Sequence, residues 1–184
     1  MNLKNTKKAL TILAAAASAF LFAGDLPTEQ KETPKKDMPN LSSEFQKFLA
    51  GDKKTVWKKI NWSNKPEGII EIRDGKLFIQ SKGALFTGIY LQLPNTSIFS
   101  VTPGEKIRMT VTVQGTGLFG YWAYGADKKF LSKCGTRNYV STKELKKHTA
   151  VFTVAEGVAK ITPYVTTTKK GSLTVESILI EAVR

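Results

Sequence analysis

Residues 106–114 read K-I-R-M-T-V-T-V-Q, and no other stretch limits the fold as tightly. Ile107, Met109, Val111 and Val113 are apolar, while Arg108, Thr110, Thr112 and Gln114 between them are polar. Successive strand side chains point to opposite sides, so this alternation describes a strand with one face in a core and the other in water. Pro103-Gly104 supplies the turn that feeds it. Similar runs occupy 56–62, 68–73, 76–81, 86–93, 118–124, 149–154, 160–166 and 172–182. Asp74-Gly75 between two of them is a strong hairpin signal, because a two-residue type I′ turn needs positive φ at both central positions. Gly115-Thr116-Gly117 and Lys169-Lys170-Gly171 are expected to mark two further reversals. Residues 141–147, with Thr142 as a cap, form the one helical candidate among the strands. Short strands at this spacing, without an intervening amphipathic helix of three turns, predict an all-β sandwich of two antiparallel sheets.

Three segments differ in what they can bury. Residues 1–24 read as a signal peptide: Lys4, Lys7 and Lys8 precede an apolar run over 9–22, with Ala17-Ser18-Ala19 as a small-x-small cleavage site and a cut after Ala23 as the alternative. The protein is therefore expected to be secreted, in the periplasm or outside the cell. Residues 25–55 read as a linker, in which Pro27, Pro34, Pro39 and balanced charges leave little apolar surface. Within it, 42–51 predicts a short helix with a serine cap, a glycine stop and an apolar face of Phe45, Phe48 and Leu49 that docks on the domain edge. Residues 56–184 are long enough to build a single hydrophobic core. They must do so without a disulfide, because Cys134 is the one cysteine of the chain.

The net charge of +13 attracts anionic partners. Nineteen basic side chains against nine acidic ones lie in 56–184, but they are scattered beside turns, where lysines keep strand edges from pairing. No nucleic-acid partner is expected. Catalytic constellations are sparse. His148 is the only histidine, which leaves a Ser-His-Asp triad or a histidine metal cluster little to work with, and it is expected on the surface. Glu71 and Glu176 are the one carboxylate pair worth weighing for glycosidic chemistry, and nothing in their spacing supports it. The expectation is a protein that is not an enzyme.

From Gly88 onward, G-I-Y-L-Q-L, V-T-P-G-E-K-I-R-M-T-V-T-V, K-H-T-A-V-F-T-V and G-S-L-T-V-E-S-I-L-I-E resemble the carbohydrate-binding modules of the jelly-roll, galactose-binding-like (CenC-type) class. Asp74-Gly75-Lys76-Leu77 matches the first hairpin of that class. The resemblance implies a jelly-roll sandwich that binds a polysaccharide or oligosaccharide, acting either alone or with a separate glycan-degrading enzyme. Some relatives of this type build a structural calcium site partly on acidic residues of the last strand. Here that place reads Glu176-Ser177, and 56–62 holds no carboxylate to help supply the six to eight oxygens calcium takes. No cofactor is expected, with Glu176 the one ligand if a structural calcium exists.

A sugar platform needs aromatic rings for C–H faces and polar side chains for hydroxyls, all on one surface. Alternation puts Tyr90, Gln92, Arg108, Thr110, Thr112 and Tyr164 on the wet side of their strands. In 118–124 both parities are apolar, so two registers stand open. We favour the one with Trp122 and Tyr124 outward and Phe119, Tyr121 and Ala123 inward, because Gly120 beside them would leave room for a ring or ligand. Trp57 and Trp62 fall on opposite faces of one strand. The alternative reading is a basic envelope or adhesion protein whose lysines hold it to acidic glycans or an anionic cell-envelope surface, with Arg108 as the partner of an acidic sugar.

Overall fold

The computed structural model describes residues 41–184, apart from 63–67, 84–85, 93–98, 168–169 and 184; of Trp62 it describes the backbone alone. The segment expected to be a signal peptide, 1–24, and the first part of the expected linker lie outside the described residues. A helix α1 (Leu41–Leu49) precedes eight strands: β1 (Trp57–Trp62), β2 (Gly68–Arg73), β3 (Lys76–Ser81), β4 (Phe86–Leu91), β5 (Lys106–Tyr124), β6 (Thr136–Thr153), β7 (Lys160–Thr167) and β8 (Ser172–Val183). All their pairings are antiparallel.

The fold is a jelly-roll β-sandwich organised by β5. One edge of this 19-residue strand carries β6 along almost its whole length. The other edge carries β8 over 106–115 and then β7 over 118–124. From β7 the sheet continues to β4 and β1, and from β8 to β3 and β2. The two halves of β5 thus belong to two layers, and its odd-numbered side chains point into the space between them. Ile107, Met109, Val111, Val113, Phe119, Tyr121 and Ala123 are all fully buried there.

A strand that serves two layers must bend, and the bend is visible in the register. Pairing with β6 shifts between Val113 and Gly115, and pairing with β8 shifts between Thr112 and Val113. Gly115 sits at φ +107°, and a Cβ there would lie 2.3 Å from the Ser172 carbonyl oxygen. Only glycine fits such a bulge beside a backbone that close. Gly115-Thr116-Gly117 therefore bends one strand rather than reversing the chain between two. Nor does the chain reverse between β7 and β8, since both run antiparallel to β5 along the same edge.

Residues 141–147 also depart from the sequence expectation, because they lie inside β6 rather than in a helical turn. The loop-like chemistry of this stretch survives as a bulge. Residues 143–145 stand opposite the single Gln114, whose Nε2 donates to the Lys143 carbonyl at 2.9 Å. Thr142 Oγ1 donates to the Glu144 carbonyl at 2.9 Å. The bulge and the exposed Lys143, Lys146 and Lys147 blunt the outer edge of β6, which no other strand covers among the described residues. His148 follows in the strand, half-buried rather than on the surface, opposite buried Val111. The hairpin at Asp74-Gly75 forms as expected, with φ of 49° and 70°.

Helix α1 closes the core. Leu41, Phe45 and Phe48 are buried, and Phe45 meets Trp57 edge to face at 6.0 Å. The Ser42 hydroxyl donates to the Ile178 carbonyl of β8 at 3.1 Å, and the Thr55 hydroxyl donates to the Glu44 carbonyl at 3.1 Å. The helix is thus pinned from both sides, and its side chains belong to the same apolar cluster as the strands. Replacing Phe45 by alanine should cost about 3–5 kcal/mol, the range for emptying a fully buried aromatic site. Chemical denaturation measures this directly. A loss under about 1 kcal/mol would mean that the helix is not part of the core.

Candidate functional site

The outer face of the β7-side layer is ordered in rows, because paired residues on adjacent strands share a face. One row runs across five strands: Lys58 on β1, Tyr90 on β4, Tyr164 on β7, Gly120 on β5 and Arg137 on β6. The next holds Thr162 and Trp122, and the one after it Lys160 and Tyr124. Phe119, Tyr121 and Ala123 are buried on the reverse side, so the register with Trp122 and Tyr124 outward is the one adopted.

Tyr164 is the foundation of this face rather than part of its surface. It was expected to be exposed, yet only 5% of it is accessible. Its ring stacks under Trp122 at 4.9 Å and 28°, and its hydroxyl donates to the Thr136 carbonyl at 3.0 Å. Burial pushes the phenol up to about 12, with the nearby Arg137 charge pulling the other way. The cause is local. Gly120, its neighbour in the row, has no side chain, and a Cβ there would lie 2.1 Å from the Thr136 oxygen. The start of β6 therefore comes down over Gly120, and the Tyr164 phenol reaches the carbonyl it brings. Gly120 makes room for backbone, not for a ligand.

Above this base sits an aromatic cleft of about 410 Å³ lined by Ile60, Asn61, Tyr90, Trp122, Tyr124 and Phe130. Tyr90 leans on Trp122 at 5.7 Å and 49°, and its hydroxyl donates to Gln92 Oε1 at 3.4 Å. Tyr124 meets Phe130 at 5.7 Å and 54°. Burial raises the Tyr124 phenol above its ordinary value, the Tyr90 phenol adds to that, and a hydrogen bond with Thr162 opposes it. Phe130 is 49% exposed. Sequence reasoning missed it because it lies in a loop, outside any alternating run. The signal was the Gly125-Ala126-Asp127-Lys128 turn: Lys128 N–H donates to the Gly125 carbonyl, Gly125 N–H to the Lys129 carbonyl, and Lys129 N–H to Asp127 Oδ1. That turn folds Phe130 back into a bridge with Tyr124.

Arg108, Thr110 and Thr112 do not join this cleft. Arg108 precedes Trp122 by fourteen residues on β5, roughly 45 Å of extended chain at ~3.3 Å per residue, and the bulge puts it in the other layer. Their polar atoms are already engaged: Arg108 lies 3.7 Å from Glu181, the Thr110 and Thr149 hydroxyls share a hydrogen bond of 3.0 Å, and the Ser177 hydroxyl donates to Thr112 Oγ1 at 2.9 Å. The single wet face expected from alternation is two faces pointing away from each other. The carboxylates weighed for chemistry are likewise held locally, Glu71 by Arg73 and Glu176 by Lys76 at 3.8 Å. Among the described residues no group of three or more His, Cys, Asp or Glu is placed to hold a metal ion. Trp57 is buried in the core, and Cys134 is half-buried against it.

No protein-family model matches the sequence, and no curated protein matches it. Among solved structures the chain is similar to the enzymatically active domain of tailspike protein 4 of bacteriophage CBA120, with a TM-score of 0.52 and 9% identity over 70% of this chain and 20% of that one. The chain thus spans a fifth of the tailspike's length. It is also similar to the CBM22-1 xylan-binding domain of Paenibacillus barcinonensis Xyn10C, with a TM-score of 0.47 and 13% identity over 71% of this chain and 88% of that one. A third structure, the CBM22-1 and GH10 modules of Clostridium thermocellum endo-1,4-beta-D-xylanase 10B complexed with xylohexaose, gives 0.48 and 12% over 70% and 26% of the two chains. At 9% identity the likeness to the tailspike domain is one of fold alone.

Proposed function

We propose that the protein is an exported, non-catalytic polysaccharide-binding domain of the galactose-binding-like type, and that the cleft of Tyr90, Trp122, Tyr124 and Phe130 is its binding surface. The observation that carries this reading is the ring cluster itself. Half-exposed aromatic faces suit the C–H faces of a pyranose, while the Tyr90 and Tyr124 hydroxyls, Gln92 and Thr162 stand beside them for hydroxyl groups. Rings held by a buried tyrosine underneath lose little freedom when a ligand arrives, which lowers the entropic cost of binding. The reading needs neither a metal nor a catalytic carboxylate, and it leaves degradation of the glycan to a separate enzyme.

Isothermal titration against plant and algal oligosaccharides tests the proposal. Replacing Phe130 by alanine removes a half-exposed loop ring that packs on Tyr124, outside the core, and Trp122→Ala removes the centre of the cluster. Each should weaken binding about tenfold or more, the effect of losing roughly 1.4 kcal/mol of ring contact. Full binding by both variants, or binding lost on Thr110→Ala instead, would contradict it.

Alkaline pH tests the base of the platform. The Tyr164 phenol ionises near 10 in an unfolded chain and at about 12 when folded, so the native state keeps a proton that the unfolded state releases. Its contribution to stability is complete below about pH 10 and is lost as pH rises towards 12. Thermal unfolding between pH 9 and pH 12 should therefore show an alkaline loss that shrinks in Tyr164→Phe. An identical loss in both proteins would contradict the buried phenol.

A further inference from the structure

Building on the reading of this face as a saccharide platform, we propose that its ligand is an anionic saccharide whose carboxylate or sulfate groups are received by Lys58, Arg137 and Lys160. The row that carries Tyr90 and Tyr164 begins at Lys58 and ends at Arg137, so the ring cluster is framed by a cation on each side. Four inter-strand spacings of about 4.8 Å put their Cα atoms on the order of 19 Å apart, a span that accommodates several sugar units. Lys160 stands opposite Tyr124 at the far end of the cleft.

These three cations share a second property: none makes an ion pair among the described residues. No aspartate or glutamate occupies a strand position of β1, β4 or β7, nor of β5 from Leu118 onward, nor of β6 before Val140. Asp127, in the neighbouring turn, accepts from the Lys129 backbone instead. The other layer is built differently. Arg73, Lys76 and Arg108 there stand beside Glu71, Glu176 and Glu181. The positive charge of the domain is thus partly neutralised on one outer face, while the strand positions around the rings carry cations and no carboxylate among the described residues. Arg108, the sequence-based candidate for an acidic sugar, is occupied, while the free cations lie where the aromatic faces are. A sugar with a negative group would stack on Trp122 and meet a cation at either side, and a neutral one would leave all three cations solvated.

Titration calorimetry with the full chain at about 50 mM salt separates the possibilities, using oligogalacturonate, its neutral methyl ester and a sulfated oligogalactan. The acidic probes should bind at least about tenfold more tightly than the ester, three partly exposed charge contacts together supplying a factor of that order. The tighter of the two identifies carboxylate or sulfate as the recognised group. The advantage should disappear in a Lys58→Gln, Arg137→Gln, Lys160→Gln triple variant with unchanged thermal unfolding, while the ester binds it as before. Ester binding equal to the acid, or an advantage retained by the triple variant, would overturn the anionic assignment and leave the saccharide platform standing. Binding of none of the three probes would overturn both. Capture by phosphatidylserine vesicles in place of the sugars, lost in the triple variant, would also overturn the assignment.

Discussion

Everything in this sandwich depends on β5 being buried on one side along its entire length. The strand runs through both layers, and its odd-numbered side chains from Ile107 to Ala123 fill the space between them. A slip of one residue would turn all of them to water, so the hydrophobic pattern pins the register of β6, β7 and β8 against it. The bulge around Gly115 reconciles two demands that a straight strand could not meet together. It lets the first half pack with β8 and the second with β7 while the same parity stays inward.

That constraint also decides which outer surface can act. With the inward parity fixed, Trp122 and Tyr124 must face out, and the short side of the row at Gly120 draws in both the Tyr164 ring and the start of β6. The result is a stack two rings deep, with the lower ring sealed and the upper one accessible. The opposite layer follows the same alternation but satisfies itself: hydroxyl meets hydroxyl along Thr149, Thr110, Thr112 and Ser177, and cation meets carboxylate at Arg108 and Glu181. A ligand there would meet polar groups paired across strands, whereas the aromatic cleft offers half-exposed rings, with Phe130 49% accessible.

The strands and their inward faces were legible because period-two alternation is written in consecutive residues. β2 and β3 begin and end at the residues that hairpin chemistry at Asp74-Gly75 indicates, and the inward set of 107, 109, 111 and 113 is the buried set. What alternation could not say is where an outward side chain ends up in three dimensions. It assigned Tyr90 and Arg108 to the same class of position without showing that a bulge carries them to different layers. It marked Tyr164 as outward, correctly as to strand face, but burial by Trp122 and β6 is a matter of neighbours far away in sequence. Glycines misled for a related reason: Gly115 and Gly117 look like a reversal, and the glycine is there because a neighbouring backbone comes within reach of its absent Cβ. Residues 143–145 carry turn-like chemistry that tertiary pairing turned into a bulge of β6. Phe130 belongs to no alternating run, and only the turn at 125–128 hints at its return to Tyr124.

Fold and site thus point to one asymmetry: of two outward faces, one is closed by its own hydrogen bonds and the other is a ring platform on a buried phenol. A titration of the ¹⁵N-labelled domain with an oligosaccharide, followed by NMR, tests this most directly. The account predicts shifts at the Trp122 indole N–H and the amides of Tyr90, Gly120 and Phe130, with the buried Trp57 indole and the amides of Arg108, Thr110 and Thr112 unmoved. Shifts confined to Arg108, Thr110 and Thr112 would contradict it.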